Sequence, residues 1–246
     1  MDKSLLVAAV DLRGHGYSFN SCEHPCDLDV KLLVNDLVVV VELLLKELRE
    51  GGFRNPRLVL LGHSIGAALC IKVASRIHAS GLLATIVIDF IEDKVSQDGF
   101  KHTREAVEKI PQSFNNMEDA LTWAVSSGHV LTYAAARVSL PSALAEDSNT
   151  LKWKCHPMDV KQYWEGWVKG TTREFLSLKC MKVLIVRDSN TLGKDLTTAH
   201  MQGAFQLKPL PGNTHLIHED SPNEVANIVL GVVERDIKVR KLLNSI

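Results

Sequence analysis

Neither sign of charge is in excess in this chain: 28 lysines and arginines stand against 29 aspartates and glutamates. That balance gives no pull toward nucleic acid or an anionic membrane surface. Cysteine is sparse and odd in number, scattered as Cys22, Cys26, Cys70, Cys155 and Cys180 along 246 residues. Such a set makes no disulfide framework; it predicts reduced thiols and an intracellular protein, and a cytoplasmic location, with the nucleus beside it, is the separate expectation. Cys22-Glu23-His24-Pro25-Cys26 lacks a second ligand pair at a suitable spacing, so no metal site is expected. Long apolar runs are missing too. Leu37 to Leu45 is broken by Glu42 and closed by Lys46, which excludes a membrane span there. Met1-Asp2-Lys3 leads into an apolar run too short for a signal peptide and without a cleavage site. Repeats, low-complexity segments and an interdomain linker are absent as well, and the length suits one large α/β domain over residues 1–246.

What the chain does have is an alternation of buried strands and helices. Leu5 to Val10 reads as a strand, followed by a polar, glycine-rich loop to about Asp29. Val30 to Arg49 reads as a helix closed by Gly51-Gly52, Leu58 to Leu61 as a strand, and the stretch to about His78 as a helix. Leu83 to Phe90 is a third strand with Asp89 at its C-terminal end. This order predicts a mostly parallel sheet with helices on both faces. From about Glu92 to Leu178 the strands stop and helical segments such as Met117–Val125 and Val160–Phe175 follow one another. That stretch reads as a helical cap inserted over the sheet. The sheet resumes with 182–187 and 205–210, and Pro222 to Val239 is the closing helix, with Ser221 as its N-cap.

The most telling stretch is Gly62-His63-Ser64-Ile65-Gly66, between the strand at 58–61 and its following helix. A G-x-S-x-G in that position is the nucleophile elbow of the α/β-hydrolases, in which glycines let strand and helix close around an exposed serine. Ser64 is the candidate nucleophile, and the backbone N–H of Ile65, at the helix N-terminus, a candidate oxyanion donor. A serine hydroxyl needs a base and a group to orient that base. The chain order of the fold is serine, acid, histidine, with the histidine in the loop after the last strand. His215 meets this requirement. His218, beside Glu219 and Asp220, better suits a capping or surface role. Asp89 and Asp188 each end a strand, and position alone leaves the acid open between them. Asp11 also ends a strand, but with Arg13 close by it suits an ion pair or a turn.

Asp11-Leu12-Arg13, the elbow, Val87-Ile88-Asp89, Tyr163-Trp164-Glu165-Gly166-Trp167, Lys194-Asp195-Leu196-Thr197, Met201-Gln202-Gly203 and His215-Leu216-Ile217-His218-Glu219-Asp220 together resemble the protein phosphatase methylesterases. The motifs occur in that family's order across nearly the whole chain. The resemblance implies an α/β-hydrolase fold and a triad of Ser64, Asp89 and His215, which resolves the acid in favour of Asp89. It also implies a substrate and partner: the family removes the methyl ester from the C-terminal leucine of the protein phosphatase 2A catalytic subunit and binds that phosphatase. No cofactor is implied. The tryptophan motif also reads as an amphipathic cap helix burying Trp164 and Trp167.

The chain departs from the family's pattern in three places. Ala145-Glu146-Asp147 stands where longer members carry an acidic insertion, and Thr214 where they usually have glycine. The family's first strands and its His-Gly-Gly oxyanion loop have no counterpart before Leu5. In the usual strand order this predicts a gap between the strand at 5–10 and the strand at 58–61, each with unpaired backbone groups. Two rivals accompany the esterase reading: a catalytically impaired relative that binds the phosphatase, and an esterase for another small ester.

Overall fold

The computed structural model describes residues 5–21, 26–77, 81–92 and 100–243. A four-stranded parallel sheet forms its centre. Strands β1 (Leu58–His63), β2 (Leu82–Ile88), β6 (Met181–Val186) and β7 (Gln206–Pro209) lie side by side in the order β1-β2-β6-β7. Their sequences are nearly continuous apolar runs because both faces are covered. On one face Leu60, Val87, Leu184 and Val186 pack under helices α1 (Val30–Glu50) and α2 (Ile65–Arg76). On the other, Ile86, Ile88, Val183 and Ile185 meet Val225 and Val232 of the closing helix, Pro222–Leu243. Alternation along each strand thus feeds two cores.

The helices follow local rules. Asp29 caps α1, its carboxylate accepting the Lys31 N–H at 2.8 Å. Ala67 and Ala68 open α2 with no exposed surface, and their small size lets the helix approach β1 closely. Cys70 lies within α2, where burial pushes its thiol up to about 12; burial, then Asp159, lifts Cys155 to about 11. Cys70, Cys155 and Cys180 are free thiols, as expected. Cys26 is not: it is disulfide-bonded, which corrects the expectation of reduced thiols at that position. The rest of the Cys22–Cys26 stretch lies outside the described residues, as does His78, toward which α2 was expected to run.

Leu5 to Val10 is not a strand. It forms no ladder with any described strand, and Leu6 and Val7 are 67% and 79% exposed. A strand exists only as one side of a hydrogen-bonded ladder, and no described strand lies on the outer side of β1. β1 is therefore an edge, with Leu61 41% exposed. Away from β1, a groove of about 480 Å³ lies between residues 10–13 and α1, lined by Val10, Leu12, Leu33, Leu37 and Val40. Arg13 closes one end by a bidentate ion pair with Asp36, at 2.5 and 2.6 Å. Asp11 takes the other role foreseen for it, a turn: its carboxylate accepts the Tyr17 N–H at 2.8 Å.

The segment between β2 and β6 is not purely helical. Among α3 (Lys101–Val107), α4 (Met117–Ser126) and α5 (Tyr133–Ala143), it carries a small antiparallel sheet, β3 (Ser113–Phe114), β5 (Thr150–Trp153) and β4 (Leu144–Asp147). Its hairpin turns at Ser148-Asn149, both at positive φ (48° and 71°), the geometry that matches strand twist in two-residue hairpins. The family's acidic insertion point, Ala145-Glu146-Asp147, is strand β4. The helix expected over Val160–Phe175 is likewise broken, into a 3-10 stretch (Pro157–Tyr163), α6 (Trp164–Val168) and α7 (Thr171–Ser177). Gly170 makes the break with φ 80°. Trp164 and Trp167 are buried, and Trp167 Nε1 donates to Leu28 O at 2.8 Å, so this motif ties the inserted segment to the chain before α1.

Candidate active site

Two rungs at the C-terminal ends of the strands set the site. Ser64 N–H donates to Ile88 O at 3.1 Å, and Asp89 N–H to Ile185 O at 2.8 Å. The parallel register, His63 beside Ile88 and Ile88 beside Ile185, therefore delivers Ser64 and Asp89 to the same edge of the sheet. Both residues leave their strands at positive φ, Ser64 at 52° and Asp89 at 45°. Backbone in that region costs on the order of 1–3 kcal/mol for a residue that is not glycine. At Ser64 this is the sharp turn that lifts the hydroxyl off the sheet. Gly62 makes it possible: a Cβ there would lie 2.2 Å from Gly66 O and 2.3 Å from Gly66 C. Gly66, in contrast, has open space where its Cβ would be, so only the first glycine of the motif is sterically required. The Ile65 N–H, first of α2, donates to no acceptor among the described residues.

His215 arrives from the loop after β7. Its Nδ1 lies 2.7 Å from Asp89 Oδ2, and because a carboxylate only accepts, Nδ1 carries the proton and donates. Nε2, the nitrogen that could serve as a base, has no hydrogen-bond partner among the described residues. Arg187, just past β6, donates from Nε to the same Asp89 oxygen at 2.7 Å. Burial alone would raise the Asp89 carboxyl; His215, then Arg187, outweigh it and hold the group below the usual carboxylate range. No hydrogen bond joins Ser64 Oγ to His215 among the described residues.

Three residues of the site have no role assigned to them from sequence, although Thr214 is noted there as a departure in the base loop. Arg187 is a charge directly after a buried strand, the position where strand-end chemistry sits, but it was passed over for its neighbour Asp188. Asp188 does not reach His215; it accepts the Asn190 N–H at 2.9 Å and caps the 3-10 turn Ser189–Thr191. Thr214 rebuilds the loop where the family has glycine. Its N–H and Oγ both donate to Asp220 Oδ2, at 2.7 and 2.6 Å, and Oγ accepts the Leu216 N–H at 3.1 Å. Asp220 Oδ1 meanwhile accepts the Leu131 N–H at 2.8 Å, so this carboxylate joins the His215 loop to the inserted segment. Ser221 Oγ donates to Asn213 Oδ1 at 2.6 Å, tightening the same loop.

His63 is the third. Its ring lies 4.4 Å from that of His215 and 4.6 Å from that of His218. Burial, then the His215 and His218 rings, push its pKa down to about 3. His218, a third exposed and with Nε2 3.8 Å from Glu219 Oε1, also packs on His63; burial lowers its pKa, and its Nδ1 is buried without a partner among the described residues. Among the described residues, no group of three His, Cys, Asp or Glu side chains is arranged to hold a metal ion.

The family model described as alpha/beta hydrolase family matches residues 3–228. A protein from Caenorhabditis elegans named probable protein phosphatase methylesterase 1 is 35% identical over 92% of this chain and 60% of its own. One from Cryptococcus neoformans, named protein phosphatase methylesterase 1, is 29% identical over 95% of this chain and 58% of its own. The human protein of that name is 28% identical over 91% of this chain and 67% of its own. The resemblance read from the motifs is borne out by these names, while the chain spans only about three fifths of the first two relatives' length. Among solved structures, E-2-(acetamidomethylene)succinate hydrolase superposes with a TM-score of 0.69 at 15% identity, covering 91% of this chain and 80% of that one. An esterase from Mycobacterium tuberculosis superposes at 0.63 with 18% identity, covering 91% and 73%. At these identities the two structures speak for the fold alone.

Proposed function

The chain belongs to the alpha/beta hydrolase family, and from that premise we propose that it is a serine carboxylesterase of the protein phosphatase methylesterase type. Its proposed substrate and partner is the protein phosphatase 2A catalytic subunit, methylated at its C-terminal leucine, in the cytoplasm or nucleus. His215 Nε2 takes the Ser64 Oγ proton as Oγ attacks the ester carbonyl. The Ile65 N–H stabilises the oxyanion; the C–O bond to the methoxy group breaks, and methanol leaves with the proton from His215. Water, activated by the same nitrogen, then hydrolyses the acyl-enzyme and returns the free carboxylate. Asp89 keeps the imidazole in its Nδ1–H tautomer and offsets its charge when protonated.

The observation that carries this reading is the 2.7 Å bond between His215 Nδ1 and Asp89 Oδ2 on the sheet edge that also bears the Ser64 elbow. It is supported by the names of the relatives. A second reading, a phosphatase binder without turnover, is favoured by the lack of a Ser64 Oγ–His215 hydrogen bond, and by a single oxyanion donor, among the described residues. Removing one such donor costs about 10²–10³ in rate. Labelling of the folded protein by a fluorophosphonate probe, with Ser64→Ala and heat-denatured protein as controls, tests the first reading. Labelling lost in both controls, followed by release of methanol from a methylated phosphatase peptide, is the expected result. A cooperatively folded protein that is never labelled would sustain the binder reading instead.

A further inference from the structure

The residue before the nucleophile has no role in the mechanism above, yet it makes the contact that joins the nucleophile's turn to the loop of the base. His63 is the last residue of β1, and its Nε2 lies 2.8 Å from the backbone carbonyl oxygen of His215. A carbonyl only accepts, so Nε2 carries the proton and the tautomer of His63 is fixed. The ring is half-buried, packs against the rings of His215 and His218, and is uncharged at neutral pH. It therefore acts as a rigid strut of fixed length. One end is covalently next to Ser64; the other holds the residue that must reach Ser64.

We propose that His63 is a positioning residue that sets the separation of Ser64 and His215 through its hydrogen bond to the His215 carbonyl. This rests on the reading of Ser64 as nucleophile and His215 as base. The base loop is otherwise anchored on its far side, by Thr214 to Asp220 and by Asn213 to Leu210 O and Ser221. No other described hydrogen bond runs from the elbow to the His215 backbone. Without His63 the loop keeps its anchors but loses its tether to the strand carrying the nucleophile. A displacement of about 1 Å at a reacting group is enough to cost about 10²-fold in rate.

The test compares His63→Leu, which keeps bulk and removes the donor, with His63→Gln, whose amide N–H can reach the same carbonyl. The readouts are p-nitrophenyl acetate hydrolysis, the melting temperature and the downfield NMR resonance of the His215 Nδ1 proton. His63→Leu is expected to lose about 10²-fold in kcat with KM changed less than about 3-fold, and to broaden or shift the resonance. His63→Gln is expected to recover most of kcat and the wild-type resonance. If both variants keep wild-type kcat and resonance, or both lose them equally, the proposal is overturned. Should His63→Leu fail to fold, His63→Asn replaces it: its shorter amide misses the carbonyl, so parity of Asn with Gln overturns the proposal. If wild-type protein turns over no ester, the esterase reading has failed separately, and the resonance alone decides the role of His63.

Discussion

Asp89 and Asp188 end neighbouring strands, and their exchange for asparagine separates a carboxylate that serves the base from one that caps a turn. In Asp89→Asn the backbone suffers little, because asparagine tolerates the positive φ of 45° as well as aspartate does. The orientation of the new amide is also determined. Two donors, His215 Nδ1 and Arg187 Nε, converge at 2.7 Å on one oxygen, so the amide oxygen must face them and its NH₂ must point away. The Nδ1–H tautomer survives, and what is lost is the negative charge opposite the imidazolium. A comparable change that also corrupts the tautomer costs about 10⁴ in kcat. Here the loss is expected to be smaller, about 10²–10³, or roughly 3–4 kcal/mol of barrier. In Asp188→Asn the side chain still accepts the Asn190 N–H, since asparagine caps as well as aspartate, and kcat is expected to stay within about 3-fold. Steady-state hydrolysis of p-nitrophenyl acetate, checked by the rate of fluorophosphonate labelling, measures both. Asp188→Asn falling as far as Asp89→Asn, or Asp89→Asn staying within tenfold of wild type, would refute the reasoning.

Three further outcomes follow from the same geometry. Gly62→Ala, whose Cβ would meet backbone at 2.2 Å, should fail to fold or lose more than about 3 kcal/mol in urea denaturation, whereas Gly66→Ala should stay within about 1 kcal/mol of wild type. Thr214→Val removes one of the three donors to Asp220 and strands the Leu216 N–H; it should cost about 2–3 kcal/mol, with Thr214→Ser recovering most of it. His63, at about 3 when folded against about 6.5 when unfolded, stays neutral where the unfolded chain takes up a proton. Its contribution to stability is therefore present above pH ~6.5 and lost as pH falls toward 3, by at most about 1.4 kcal/mol per pH unit. Denaturation of His63→Gln between pH 7 and 4 should fall less steeply than wild type, and parallel curves would sink that account.

Much of the central sheet was legible because its strands are buried on both faces and read as apolar runs. Each expected boundary there lies within two residues of the observed one. Leu5 to Val10 was misread for the same reason that the others were read correctly. Its composition is that of a buried strand, but a strand is a relation between two segments, and composition carries no information about whether a neighbour is present. The small antiparallel sheet was missed by a different route. β3 has only two residues, and the turn between β4 and β5 is Ser148-Asn149, without the glycine that usually marks a hairpin.

The site was legible to the extent that its chemistry is local in sequence. A nucleophile between glycines and a histidine after the last strand are punctuation that a single chain displays. By position alone the acid was not, since Asp89 and Asp188 satisfy the same local rule; what separates them is the bond to His215 Nδ1, which Asp89 makes while Asp188 caps a turn. The residues that orient the base were hidden more deeply still. Thr214 looked like a disturbance because the family has glycine there, yet its hydroxyl makes two of the bonds that hold the His215 loop. His63 occupies the variable position of G-x-S-x-G, which the motif leaves unspecified. Its neighbour in space is 152 residues away. A motif records what the turn around a nucleophile requires; what aligns nucleophile with base is a contact between two turns, and it becomes visible only when both are placed.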